Sequence, residues 1–459
     1  MRTGTLSRQT GAATLMVTLI VLMVMTMITF FANRNILFET KTAANQYRSV
    51  KAIEAAQAGV EWAIAKFNDM HKITASCGLS SLTSDRTMRD KYLDPDRDGK
   101  YSPTDPPVSG LPTCPQPAEP PYGNAAYEGA RYVRDGPACT LISGVWQCSC
   151  PAAGALPTLP PCSDPKGCPT FRLRFQNVVN CALATPAVQD PGLVRITSIG
   201  CNDSQKPCVP AAGGSADGMA TVTQLVKLLN GLATVPAAAL TAKGNVNFGS
   251  NAITATNVDP GTNGITINAG GNITGFIDPK TVQSLPGTPP TASLVGNDAS
   301  LATLSDEQMF SSFFGMTRDA FRTSSSTTVV NCSGVCNDPI LSAINSGARQ
   351  IWVDGDMTLN SNASFGSYTE PIMLVVNGNA TVTGGMKIYG VLYCVNGTWD
   401  NTGGGDAQII GAAIAQGSFT ATGTPNPTYD PNVLANLRGT SGQFAKLPTD
   451  QNSRARTSW

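Results

Sequence analysis

From Ala12 to Ala32 the chain carries no charged side chain. A bilayer core needs roughly 20 apolar residues of helix, so this run is long enough to span one. A short basic leader with Arg2 and Arg8 precedes it and ends at Gly11. Beyond the run, Ile53, Ala56, Val60, Ile64 and Phe67 recur at helical spacing and form one apolar stripe, while Glu54, Gln57, Glu61 and Lys66 fall off it. No proline interrupts residues 12–68. The pattern predicts one helix over residues 12–70, about 85 Å long at ~1.5 Å per residue. Its first half is apolar all round and its second half is amphipathic, suited to packing on a domain.

The texture then changes. Residues 71–125 are rich in Pro, Asp, Ser and Gly and read as a loop region. Residues 126–235 carry strand signals at Thr170–Val178, Gly192–Ile199 and Ala220–Leu228, and the alternation of Phe171, Arg172, Leu173, Arg174 and Phe175 marks a half-buried strand. From residue 236 to 430 short apolar runs alternate with Asn-Gly-type turns. Gly355, Gly378, Gly397 and Gly417 recur at nearly even spacing, each behind an apolar run such as Ile372–Val376 or Val391–Val395. Their period, roughly 20 residues, predicts a β-solenoid, with an antiparallel sandwich as the alternative. The period lapses over residues 285–348, where Ser305 and Gln308 form a capping box ahead of Met309, Phe310, Phe313 and Phe314, a helical insertion. Residues 431–459 read as a polar tail. The fold class expected is α+β, mostly β: a long N-terminal helix, a disulfide-rich antiparallel β head and a C-terminal solenoid-like domain.

Composition narrows the setting. A chain of 459 residues has room for two or three domains. Acidic and basic side chains balance at 31 each, so no basic surplus points to nucleic acid. The 45 glycines and 32 prolines suit turn-rich β structure. Thirteen cysteines fit an oxidising compartment. Short spacings occur at Cys148/Cys150, Cys162/Cys168, Cys201/Cys208 and Cys332/Cys336, which makes these eight the disulfide candidates, although spacing does not fix connectivity. Cys394, inside a strand-like run, is the expected unpaired and buried thiol. Zinc competes poorly, because the chain has His71 as its one histidine and no Cys-x-x-Cys pair. The single histidine also argues against a Ser-His-Asp or Cys-His catalytic arrangement, and no enzyme is expected.

One motif carries metal chemistry. Asp94, Asp96 and Asp98 stand at positions 1, 3 and 5 of a calcium-type loop, Gly99 at 6, the Lys100 backbone carbonyl at 7 and Asp105 at 12. That spacing wraps hard oxygens around one point, which is what calcium requires. A solvated acidic turn is the competing reading, since Pro106 and Pro107 follow directly.

The residues Gly11-Ala12-Ala13-Thr14-Leu15, together with Ala55-Ala56-Gln57-Ala58-Gly59-Val60-Glu61, resemble the PilX-type minor pilins and the related mannose-sensitive haemagglutinin pilus assembly proteins. A secretory signal is cut after its apolar region. The resemblance instead implies a prepilin peptidase cut after Gly11, ahead of the apolar run, and methylation of Ala12. It also implies anchoring in the inner membrane with the bulk in the periplasm, then export on a fibre packed with other minor pilins and the major pilin. The leader arginines place the N-terminus in the cytoplasm. Most pilins carry Glu at the fifth mature position, and this chain has Met16 there. Without that carboxylate a subunit is poorly suited to repeat along a shaft, where an uncompensated buried charge is costly. The expected role is priming of type IV pilus assembly from a place at or near the tip, displaying the solenoid to an adhesin or surface ligand. An anchored adhesin and a type II secretion pseudopilin are the alternatives.

Overall fold

The computed structural model describes residues 11–82, 84–93, 133–151, 157–164, 167–177, 192–204, 208, 218–400, 407–421, 426–447 and 456–458. Helix α1 runs from Gly11 to Asn68. Its two halves differ as the pattern demands. Leu15, Phe30 and Phe38 are 68%, 69% and 67% exposed, whereas Ala52, Ala56, Ala63 and Phe67 are fully buried. The turn to burial coincides with the start of the amphipathic stripe.

The buried half of α1 lies on an antiparallel sheet. Its strands are β1 (Val133–Ile142), β2 (Val145–Ser149), β3 (Thr170–Asn177), β4 (Leu193–Cys201) and β5 (Met219–Asn230). They are ordered β5-β4-β3-β1-β2, all neighbours antiparallel. Phe67 of α1 meets Phe175 of β3 at 4.8 Å between ring centroids, and Tyr92 joins from the other side at 5.7 Å. Residues 71–93, expected as loop, contain a hairpin of Lys72–Ile73 with Arg86–Thr87 and a helix Met88–Tyr92 capped by Thr87. Met88, Tyr92 and Leu93 supply the apolar content that packs this segment onto the head core.

The sixth strand of the head sheet comes from the far end of the chain. Gly442–Lys446 pairs antiparallel with β5, Gly442 opposite Asn230. A helix Pro431–Thr440 leads into it, started by Asp430 and buried through Val433, Leu434 and Leu437. Residues 431–446 are therefore packed structure rather than a tail. Phe444 seats 5.4 Å from Phe67.

Between β5 and this returning strand sits a curled sheet of 17 strands paired in parallel. Consecutive turns of the chain stack in register: Val330 on Val353, Val353 on Val376, Val376 on Cys394, and Cys394 on Ala415. The pairing is compatible with a solenoid and excludes the antiparallel sandwich. The core is a column of inward apolar residues, among them Ile351, Leu374, Leu392 and Ala413. Sequence order and stacking order differ. The first turn, Leu240–Ala242, is paired on one side with Ile267–Ala269 and on the other with Ala413–Ala415. The chain thus enters the stack in its middle, builds toward Leu294–Val295, crosses back through residues 299–322 and resumes at Thr327. The 285–348 segment is accordingly not a purely helical insertion. Thr327–Asn331 and Gly334–Val335 pair in parallel with Gln350–Asp354 and Met357–Leu359, as their β-branched content favours. The helices Asp306–Phe314 and Arg318–Arg322 cover one outer face, where Phe310, Phe314 and Phe321 lie over Trp352 and Tyr393.

Candidate functional site: the helix and its seat

The seam between α1 and the sheet explains the residue types of the Ala-Ala-Gln-Ala-Gly segment. Ala52, Ala55, Ala56, Gly59 and Ala63 are all buried where α1 lies on the sheet, and Ala52, Ala56 and Gly59 meet β4 itself. A Cβ on Gly200 of β4 would overlap the Ala52 carbonyl oxygen and the Ala56 backbone nitrogen, and one on Gly59 would collide with Ser198 and Phe171. Helix and strand touch through backbone at this point, so both sides of the contact are restricted to hydrogen or methyl. Gly218 makes a similar approach to the Arg48 carbonyl, one turn nearer the membrane-type half.

The C-terminal end of α1 is held by Arg89, which is fully buried. Its Nε donates to the Phe67 carbonyl oxygen, Nη1 to that of Thr440 at 3.3 Å and Nη2 to that of Gly442 at 2.6 Å. The guanidinium also lies 5.0 Å from the Phe444 ring centroid. A cation at the last carbonyls of a helix opposes the negative end of its dipole. Asn68 closes the junction by donating to the Phe444 carbonyl at 3.1 Å and accepting from the Phe444 N–H at 2.7 Å. Nearby, Asp69 is held below the usual carboxylate range. Burial works against this, but hydrogen bonds from His71 and Lys66 prevail.

At the other end, Gly11 and Ala12 form the first turn of α1. Met16 is 69% exposed on the bare half, with Leu15 and Val17 beside it. The residues around Met16 thus offer apolar surface and no carboxylate. Thr14–Asn68 is long and apolar enough to cross a membrane, by length and composition.

Above the bare half, a groove of about 670 Å³ opens between α1 and the β1–β2 hairpin. Lys51, Glu54 and Ala58 form one wall, Trp146 and Leu141 the other, and Asp164 the rim.

The calcium-type residues Asp94, Asp96, Asp98, Lys100 and Asp105 lie outside the described residues. Among the described residues no group of three His, Cys, Asp or Glu side chains is placed to hold a metal. Among the described residues the cysteines bond as Cys77–Cys150, Cys139–Cys148, Cys162–Cys168, Cys201–Cys208 and Cys332–Cys336. Cys148 and Cys150 therefore do not bond each other. They are neighbours at the end of one strand, and each faces a different partner. Cys394 is a free thiol buried in the stack, and burial pushes its pKa up to about 12. Sequence reasoning did not single out Gly200, Gly218 or Arg89. Gly200 stands in a strand-like run, Gly218 closes a Gly-Gly-Ser-Ala-Asp-Gly stretch that reads as an ordinary turn, and Arg89 looks like any surface arginine.

Residues 10–61 match the PilX N-terminal family. No curated protein matches the chain. Among solved structures, the crystal structure of the competence-associated pilin ComZ from Thermus thermophilus aligns over 90% of this chain and 98% of that one. The identity is 12% and the TM-score 0.21, too low to carry an argument. The match to residues 10–61 spans the bare apolar half of α1 and the start of its seat on the sheet, and over that segment the chain is similar to the PilX-type pilins.

Proposed function

We propose that this protein is a minor pilin that primes type IV pilus assembly and occupies the tip or its immediate vicinity. The observation that carries the reading is the division of α1. One half exposes an uncharged, largely apolar surface from Leu15 to Phe31, and the other is locked to its own head. Such a surface needs lipid before assembly and neighbouring helices afterwards. Met16 favours a terminal place, because the subunit offers no carboxylate to the amino group of a following one. The groove between α1 and Trp146 gives neighbouring pilins a second point of contact beside the helix. The curled sheet, mounted on the head as a solenoid, is the displayed part. Processing by the prepilin peptidase would cut after Gly11 and methylate Ala12. The mass of the N-terminal peptide from sheared fibres tests this. A start at N-methylated Ala12 supports the reading, and an intact Met1 start overturns it. Labelled protein spread evenly along the shaft would refute the tip placement.

Calcium remains a proposal from spacing alone. The loop from Asp94 to Asp105 is expected to bind it, and titration calorimetry without uptake at millimolar calcium would remove it.

A further inference from the structure

Among the described residues one face of the curled sheet is exposed or half-exposed at Thr358, Thr381, Thr420, Asn247 and Thr274, and its chemistry is regular. Thr358, Thr381, Thr398, Thr420, Asn247 and Thr274 stand at successive register positions, each directly paired with the next. Around them the alternation is strict. Met357 and Leu359, Ala380 and Val382, Phe419 and Ala421, and Val246 and Phe248 point into the core, so the residues between them point away from it. Parallel strands repeat every ~4.8 Å, which makes the row about 24 Å long. The hydroxyls of Thr358, Thr381 and Thr420 make no hydrogen bond within the described residues. At the end of the row Thr274 Oγ1 donates to Asn247 Oδ1 at 2.8 Å.

A second column, two positions earlier along each strand, locks the first in place. The backbone N–H of Asn379 donates to Asp356 Oδ1 at 2.8 Å, that of Ser418 to Asn396 Oδ1 at 3.0 Å and that of Asn272 to Asn245 Oδ1 at 2.9 Å. The N–H of Asn245 donates to Ser418 Oγ at 3.2 Å, which carries the ladder across the point where the chain entered the stack. These bonds tie each turn to the next, so neighbouring strands cannot slip or fan apart. The opposite situation holds on the face bearing Trp352 and Tyr393, which the molecule covers with its own helices.

We infer that this face binds the surface of ice. Thr358, Thr381 and Thr420 each offer a methyl and a hydroxyl on strands stacked at a spacing close to the shortest repeat of the hexagonal ice lattice. The row contains no ionised side chain to impose a hydration shell of its own. It also lacks the run of aromatic rings that would stack on the C–H faces of a crystalline sugar, which favours frozen water over polysaccharide. Displayed on a fibre, the face would hold a cell to a frozen surface. The inference does not depend on the pilin reading, because it concerns the curled sheet alone.

The test uses the purified full-length chain in detergent, partitioned into a slowly growing ice front beside a detergent-matched control protein. Thr381→Tyr and Thr420→Tyr interrupt the row without touching the core, and Gln408→Tyr alters a different face. The expected result is enrichment in the ice for wild type and Gln408→Tyr, with at least a tenfold loss in the two row variants at unchanged circular dichroism. Wild-type partition no higher than the control protein would overturn the inference, as would equal partition of the row variants. Retention on microcrystalline cellulose without ice enrichment would also overturn it. Loss of piliation with ice binding intact would strike the pilin reading only.

Discussion

Removing the Cys77–Cys150 disulfide tests how the head is held. The bond joins the segment after α1 to the end of β2 and closes 73 residues of sequence, whereas Cys332–Cys336 closes 4. In the chain-entropy account, the cross-link restricts the unfolded chain in proportion to the logarithm of loop length, giving about 4.4 kcal/mol for the long loop and about 1.9 kcal/mol for the short one at 25 °C. Cys77 and Cys150 are also buried in the head core, so cavity formation adds to the first figure. The assay is hydrogen exchange of the full chain in detergent, read peptide by peptide. This separates the head from the curled sheet where a single melting curve would merge them. Cys77→Ala with Cys150→Ala should lower the opening free energy of β3 and β4 by roughly 4 kcal/mol. Cys332→Ala with Cys336→Ala should lower that of Gln350–Asp354 by roughly 2 kcal/mol. Equal losses, or a larger one for the short loop, would refute loop closure as the source of stability.

Three further outcomes follow from single sites. Gly200→Val should lift α1 from β4 and cost at least about 1–3 kcal/mol by overpacking, seen as faster exchange of residues 52–67; unchanged exchange would mean the seam is looser than its backbone contacts imply. Cys394, with its pKa pushed up to about 12 by burial, should resist iodoacetamide at pH 8 in the folded protein and react once guanidinium is added, as peptide mass mapping would show. Asp354 is held below the usual carboxylate range by its hydrogen bond from Arg322 and then by one from Trp352 Nε1 at 2.7 Å. Its depressed folded pKa contributes stability above the unfolded value, and that contribution disappears as pH falls through the folded one. Asp354→Asn should flatten this acid limb in pH-dependent exchange of Gln350–Asp354, and an unaltered limb would assign it to other carboxylates.

The parts of the fold legible in the sequence are those set by local periodicity. The uncharged run from Ala12 to Ala32 and the Ile53–Phe67 stripe specify α1 and its change of environment, and the turns at Gly355, Gly378, Gly397 and Gly417 set the stacking repeat. What was hidden is non-local. Gly442–Lys446 carries one large apolar residue, Phe444, and becomes a strand because β5 has a free edge beside it. Leu240–Ala242 and Ala413–Ala415 meet from opposite ends of the curled sheet's sequence, and nothing in either apolar run distinguishes this pairing from any other turn of the stack. Cys148 lies nearest in sequence to Cys150, yet the antiparallel register sets Cys148 opposite Cys139.

The returning strand also decides what kind of assembly this is. Asn230 and Gly442 face each other across β5 and the returning strand Gly442–Lys446, and the Gly231 N–H donates to the Ser441 carbonyl at 3.2 Å. The curled sheet is therefore an insertion at the end of two paired strands, not a domain strung on the end of the chain. Two covalent links leave the head side by side, and Gln443 adds a hydrogen bond to Ser324 across the junction. A pull on the curled sheet is shared by both links and reaches α1 through β5, Arg89 and Phe444, all of which touch the helix or its neighbours. The residues that seat α1 lie outside the insertion, and the threonine row lies wholly inside it. Changes to one can accumulate without disturbing the other, while the strand pair joins the two through hydrogen bonds as well as through the chain.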